Sequence, residues 1–331
     1  MTQGISKMNV GIIGAGHIAA KMADTLSRME GVCKYAIVSR DLAKAQAFAH
    51  QYGFQKVYGS YEELVNDADV ELVYIATPHS HHFAHASMAL KAGKAVLCEK
   101  AFTANAREAA ELIRLSREEG VFLAEAIWTR YMPFSKTIRE VIDSGAIGTP
   151  QTLTASLSYP IGWKERIQRR DLCGGALLDL GVYCINFARM CFGTDIERVE
   201  SSCVKGGEEG MDMHETITLV YRDGRMATLT ASALCVDDHR GIICGDKGYL
   251  VVDNVNNPTK LTVYRDYQAV AEYYCPDRIT GYEYEVLACE EGIQNHWVES
   301  PDMPHAEILA VMEMMDELRH QWGVIYPNDK R

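Results

Sequence analysis

Met8-Asn9-Val10-Gly11-Ile12-Ile13-Gly14-Ala15-Gly16-His17-Ile18-Ala19 is the stretch that decides the fold. The apolar run Met8–Ile13 reads as a buried strand, and the amphipathic stretch from His17 to about Met29 as a helix. Gly14-x-Gly16-x-x-Ala19 sits directly between them. In that setting Gly14 permits a tight turn, Gly16 lets backbone approach a pyrophosphate, and Ala19 leaves room for helix–strand packing. The helix N-terminus, at His17 and Ile18, supplies N–H donors to the anion. The loop therefore predicts a dinucleotide-binding βαβ unit.

Outward from this unit the alternation continues. Residues 35–38 form a second apolar run, and Asp41 then caps a helical pattern through about Tyr52 that Gly53 stops. Residues 71–76, 95–98 and 121–126 read as further buried strands. Helical patterns over 80–91 and 105–119 lie between them, closed by Gly93 and Gly120. Strands alternating with helices of this length predict an α/β Rossmann domain, a parallel sheet wound on both faces. After about Trp128 the period changes. Pro133–Asp143 reads as a helix ending at Gly145, and one helix over about 175–192 interrupts a strand-rich run. Residues 214–222 and 225–233 flank Asp223-Gly224, which predicts a type I′ hairpin, and 249–253 and 261–264 continue the strands. Two helical patterns, 282–298 and 306–322, close the chain. The expectation is a Rossmann domain over 1–127 and an α+β domain with a mostly antiparallel sheet over 128–331.

The composition fits two soluble domains: 331 residues, 47% apolar and 24% charged. Lys and Arg number 33 against 45 Asp and Glu, a net charge of −12 that opposes binding to nucleic acid or an anionic membrane. No run is long and apolar enough to span a bilayer, and the N-terminal residues do not read as a signal peptide. The ten cysteines include no C-x-x-C pair, so they read as reduced thiols in a cytoplasmic protein rather than as metal ligands or staples.

An NAD-preferring site carries an acidic residue at the end of the second strand to hold the ribose 2′-OH. Here the position reads Ser39-Arg40, and Asp41 is better used as the helix cap. A hydroxyl and a guanidinium suit a 2′-phosphate, which favours NADP(H) over NAD(H).

Five motifs occur in order: the glycine loop, Ala76-Thr77-Pro78-x-x-x-His82, Cys98-Glu99-Lys100, Glu125-Ala126-x-Trp128-x-Arg130, and Gly174-Gly175-x-x-x-Asp179-x-Gly181-x-Tyr183. Together they resemble the glucose–fructose oxidoreductase/inositol dehydrogenase (Gfo/Idh/MocA) family, and within it the dimeric dihydrodiol dehydrogenase-like and sugar reductase-like members. The resemblance spans the chain to about residue 300. It implies an N-terminal Rossmann domain, a C-terminal open sheet that often forms a dimer interface, and an active site between the domains. It also implies cofactor contacts from Thr77, Pro78, His79, His82 and Glu99, with Trp128 and Arg130 alongside, and catalytic positions at Lys100, Asp179 and Tyr183.

Physical chemistry gives these three residues distinct roles. Lys100 follows a strand at the carboxyl edge of the parallel sheet, where open α/β sheets bind ligands. Asp179 and Tyr183, spaced i and i+4, are expected on one helix face. A free phenol, with a pKa of about 10, is a poor base near neutrality, but an ammonium group and an oxidised nicotinamide would both favour the phenolate. Tyr183 is thus read as the acid/base, Lys100 as the stabiliser of the substrate oxygen, and Asp179 as a group that orients substrate or lysine. Many members of the family have His where Tyr183 stands. Ala101 replaces the family's usual Pro. A cis bond before Ala would cost about 2.5–4 kcal/mol, so the reading expects a trans bond or compensated strain.

The cluster His79-Ser80-His81-His82-x-x-His85 has one zinc-like spacing, but no further ligand set follows it and no metal is expected. Trp128, Tyr159, Trp163, Arg166, Arg169 and Arg170 are candidates for a substrate wall. The expected activity is hydride transfer between a secondary alcohol and a carbonyl on a small polyol, sugar, diol or dicarbonyl, by a homodimer or higher homo-oligomer. Two alternatives keep the fold: transient oxidation with a tightly held nicotinamide in a net non-redox reaction, and a non-enzymatic cofactor-binding regulator.

Overall fold

The computed structural model describes residues 7–330. In the first unit the chain runs β1 (Met8–Ile13), α1 (His17–Arg28), β2 (Val32–Val38), α2 (Leu42–Tyr52), β3 (Lys56–Tyr58) and α3 (Tyr61–Asn66). It continues through β4 (Leu72–Ile75), α4 (His79–Lys91), β5 (Ala95–Glu99), α5 (Ala106–Glu119) and β6 (Leu123–Ala126). The six strands are all parallel, in the order β3-β2-β1-β4-β5-β6. The order reverses between β1 and β4, which is where a doubly wound sheet binds its ligand.

Local chemistry sets the helix ends. Asp41 accepts from Lys44 N at 3.1 Å to start α2, and Gly53 ends it in the left-handed region. Ser60 and Glu63 make a reciprocal capping box on α3, a helix with no apolar period to announce it. Asn105 caps α5 and Gly120 closes it.

The second unit holds α6 (Pro133–Asp143), β7 (Pro150–Ser158), α7 (Glu165–Gln168), α8 (Val182–Phe192), β8 (Ile196–Gly206), β9 (Met211–Tyr221) and β10 (Met226–Ser232). Then come β11 (Gly241–Gly245), β12 (Tyr249–Val252), β13 (Lys260–Arg265) and β14 (Gln268–Tyr274). The sheet order is β14-β13-β12-β11-β7-β10-β9-β8, antiparallel throughout except for the β7–β10 pair. Its inner face buries Leu153, Leu157, Leu229, Leu219 and Ile243, and α8 packs on β7 and β10. An apolar stretch, Arg170–Phe192, has the length of a membrane span, but 89% of its apolar window is buried inside the protein, as befits a core helix.

Three expectations are corrected. The β9–β10 hairpin is not type I′. Gly224 N donates to Tyr221 O at 2.9 Å, and of the turn residues only Gly224 has positive φ, at 88°. This is a type I turn followed by a left-handed glycine, which adds one residue to the loop. The predicted helix over 175–192 is two pieces: a π-helical turn, Leu177–Gly181, and then α8. Nor is 128–331 one uninterrupted domain. The chain leaves the first unit after Trp128 but returns to it over Arg278–Met312. That return carries α9 (Glu283–Gln294) and the start of α10 (His305–Trp322), because Val286 and Cys289 join the core under the parallel sheet.

Candidate active site

Around the first glycine loop the backbone is tightly constrained on one side and open on the other. Gly14 has φ 112°, and a Cβ there would stand 2.5 Å from Ala76 O, so only glycine brings β1 this close to the end of β4. A Cβ on Gly16 would meet nothing within 4 Å. Gly16 caps α1 without a side-chain acceptor, and the first turn, His17 and Ile18 included, holds no acidic residue. An open cradle at an uncapped helix N-terminus fits a pyrophosphate. Ser39 and exposed Arg40 follow β2, while Asp41 is engaged on α2. Tyr61, which the sequence reading passed over, borders this corner: burial raises its phenol pKa against the pull of the Arg40 guanidinium. Its ring lies 4.4 Å from that of His85.

The residues after β4 and β5 are tied to one another. His82 is fully buried; Nε2 lies 2.7 Å from Thr77 O and Nδ1 3.0 Å from Ala101 O. It joins the Thr77-Pro78 turn, with His79 opening α4, to the segment that bears Lys100. Burial pushes its pKa down to about 4, outweighing the carbonyls that favour the charged ring. His85, beside Thr77 Oγ1 at 3.1 Å, is lowered to about 4 for the same reason. These histidines are spent on structure, and among the described residues no three His, Cys, Asp or Glu side chains are grouped to hold a metal. Glu99 accepts from the Tyr74 hydroxyl and, at 3.2 Å, from Lys100 N. The Lys100–Ala101 peptide bond is cis. Trp128 stacks on Tyr282 of the returning segment, with ring centroids 4.5 Å apart.

The second unit carries Asp179 and Tyr183, both buried, on the π-helical turn and the start of α8. Asp179 is ion-paired with Arg166 of α7. Gly174 makes that approach possible, since a Cβ there would stand 2.4 Å from Ile167 O and 2.7 Å from Arg166 O. The sequence offered Arg166 only as one of several wall residues; its pairing depends on this loop and leaves no periodic trace. Arg130 belongs to this unit, where its Nε donates to Asn186 Oδ1 of α8 at 3.1 Å. Trp163, at 75% exposure, stands three residues before Arg166, while Arg169 pairs with Glu165 and Asp171.

Comparison with known proteins agrees with this architecture. Residues 8–126 match the family described as "Oxidoreductase family, NAD-binding Rossmann fold", and residues 135–251 match the "GFO/IDH/MocA C-terminal domain". Trans-1,2-dihydrobenzene-1,2-diol dehydrogenase from Mus musculus is 34% identical, covering 97% of this chain and 98% of its own length; the Homo sapiens enzyme gives the same figures. Among solved structures, the 3-ketoreductase KijD10 from Actinomadura kijaniata, in complex with NADP and TDP-benzene, superposes with a TM-score of 0.87. It is 26% identical, over 95% of this chain and 97% of that one. An aldose-aldose oxidoreductase from Caulobacter crescentus, 21% identical with a TM-score of 0.86 over 98% of each chain, shares the fold. The chain belongs to the Gfo/Idh/MocA family and is an oxidoreductase built on that family's NAD-binding Rossmann module.

Proposed function

We propose that this protein is an NADP(H)-dependent dehydrogenase/reductase that interconverts a secondary alcohol and a carbonyl on a small diol or sugar-like substrate. The nicotinamide, when bound, supplies or takes up the hydride. Tyr183 moves the accompanying proton: its hydroxyl protonates the carbonyl oxygen in reduction, and its phenolate receives the carbinol proton in oxidation. The Lys100 ammonium stabilises the oxygen while it bears negative charge. Asp179, held by Arg166, orients the hydroxylated substrate. Gly14, Gly16, His17 and Ile18 receive the pyrophosphate, and Ser39 and Arg40 the 2′-phosphate. Thr77, Pro78, His79, Glu99, Trp128 and Arg130 complete the cofactor side, with buried His82 holding Thr77 in place. The cytoplasm is the compartment in which its ten free thiols stay reduced.

The observation that carries this reading is the buried Asp179 and Tyr183 on one short segment, with Asp179 paired to Arg166. Relatives named for a trans-dihydrodiol and a 3-ketoreductase support a vicinal diol, or the matching hydroxyketone, as substrate class. We also propose a homodimer formed through the outer face of the eight-stranded sheet.

The test is nicotinamide absorbance against a panel of trans-diols, sugars, keto sugars and dicarbonyls, with Tyr183→Phe beside the unchanged protein. Turnover with NADPH that falls about 10²–10⁴-fold in the variant, at unchanged NADPH affinity, is expected. Full activity in Tyr183→Phe sinks the acid/base role. Cofactor binding with no absorbance change on any substrate sinks the net redox reaction.

A further inference from the structure

The segment that carries Asp179 and Tyr183 is pressed from below by two acids on β9. A Cβ on Gly175, whose φ is 108°, would stand 2.1 Å from Asp212 Oδ1, and one on Gly181 would stand 3.0 Å from Glu215 Oε1. Asp212 Oδ2 accepts from Leu177 N at 2.7 Å, at the first residue of the π-helical turn. Gly181 is the last residue of that turn. The two carboxyls therefore bracket it, one at each end.

Both are 0% exposed, and among the described residues neither oxygen of Glu215 nor Asp212 Oδ1 has a hydrogen-bond partner. Glu215 occupies an inward place in the alternation Met213, Glu215, Ile217, Leu219, where an apolar residue would fill the space without desolvating an acid. Two carboxyls buried together do not both ionise. Asp212 has the Leu177 and Ala176 N–H groups and the Arg319 guanidinium to support a charge, against burial that raises its pKa. Glu215 has none of these, and burial beside Asp212 raises its pKa well above the ordinary carboxyl value. The other titratable groups around the pair are the Cys184 thiol of α8, the Cys203 thiol of β8 and the Tyr326 phenol. Lys205 and Asp237 act on those thiols. Burial thus raises both carboxyls, and Asp212, with its N–H donors and Arg319, is the better placed of the two to carry a charge, Glu215 to keep a proton.

We propose that Asp212 and Glu215 are positioning residues for the reaction, a buried acid pair that fixes the turn bearing Asp179 and leading into Tyr183. The proposal rests on the roles assigned above to Asp179 and Tyr183. It predicts an effect on turnover and little on cofactor binding, whose residues sit chiefly on the Rossmann unit. Ionisation of Glu215 would place a second charge under the turn and lower kcat.

The test uses Asp212→Asn and Glu215→Gln, which keep side-chain volume, measured for NADPH affinity, thermal midpoint, and kcat and KM across pH. Because misplacement by about 1 Å can cost roughly 10²-fold, a kcat loss of about tenfold or more is expected in Asp212→Asn, with NADPH affinity within about twofold. Glu215→Gln, which cannot ionise, is expected to change the pH dependence of kcat. If either carboxamide fails to fold, Gly181→Ala is the second probe; it sets a methyl 3.0 Å from both Glu215 Oε1 and Leu177 Cδ1 and is expected to lower kcat with NADPH binding kept. Folded variants with unchanged kcat and pH profile overturn the proposal, as does a parallel loss of kcat and NADPH affinity. Tyr183→Phe separates the two levels. If it keeps turnover, the functional reading falls and this proposal with it. If it loses turnover while the β9 variants do not, the pair alone is refuted.

Discussion

Arg40 and Asp41 are neighbours with opposite charges, and only one of them can serve a ribose at the end of β2. Asp41 Oδ1 is occupied by Lys44 N, so its carboxylate is used at the start of α2. Arg40 is exposed at the same corner, and a guanidinium there pairs with a 2′-phosphate but has no such partner on NADH. Losing a charge-assisted hydrogen-bond set costs about 1.5–3 kcal/mol, so Arg40→Ala is expected to weaken NADPH binding by about 10- to 100-fold and leave NADH binding nearly unchanged. Asp41→Ala is expected to cost about 1 kcal/mol of stability through the lost cap, with the NADPH-over-NADH preference intact. Fluorescence titration with both cofactors and a thermal melt read these effects. Equal losses for NADPH and NADH in Arg40→Ala would count against the 2′-phosphate contact, and a switch in preference in Asp41→Ala would give the ribose to Asp41.

Among the elements, α4 illustrates how a residue legible as a motif can hide its role. Its run of histidines draws the eye as a ligand cluster; the rings of two of them, His82 and His85, are spent on Thr77 and Ala101. That use has a pH signature. His85 titrates at about 4 in the folded chain because burial disfavours its cation, against an ordinary value of 6.5. The unfolded chain therefore takes up a proton first, so the stabilisation is complete above about pH 6.5 and is lost as pH falls toward 4, by up to about 3 kcal/mol. Buried acids such as Glu215 and Glu285, whose pKa values are raised, give the opposite slope, so the quantity to measure is a difference. Chemical denaturation of unchanged protein and His85→Gln at pH 8 and pH 4.5 should show the stability gap between them narrowing at the lower pH; a constant gap would contradict a neutral buried His85. The same contrast explains what the sequence disclosed. The glycine loop, the Asp41 and Asn105 caps and the buried parallel strands are written locally, in period and in capping residues. Edge strands β8 and β14 alternate weakly because both their faces meet solvent, and the reading missed them. The π-helical turn is contacted at its two ends by Asp212 and Glu215 from a strand more than thirty residues further on, which no local period records. The return of α9 to the first core depends on which core Val286 and Cys289 join, and an apolar residue does not name its partner.

At the scale of the whole molecule, the proposed dimer turns on the outer face of the eight-stranded sheet. Strand register places Val251, Ile242, Thr154, Thr228 and Thr218 in one row across that face. Tyr264, Tyr249, Cys244, Thr152, Met226 and Val220 form the next, with the two tyrosine rings stacked 4.7 Å apart. None of these central residues is charged, although the chain is 24% charged. Charged side chains gather toward the edges instead, as Lys260 with Glu272 and Arg198 with Glu200. Depletion of charge from the middle of a broad, partly exposed, β-branched face, with charge at its rim, matches the composition of protein interfaces and supports the proposed dimer. A second copy of the same face is the simplest occupant, since a two-fold axis makes any such patch self-complementary in position. Sedimentation velocity at micromolar concentration is therefore expected to give twice the chain mass, and Ile242→Asp, which buries a carboxylate at the centre of the face, is expected to give the single-chain mass with the fold retained. A single-chain mass for the unchanged protein, or a dimer that survives Ile242→Asp, would remove this face as the interface.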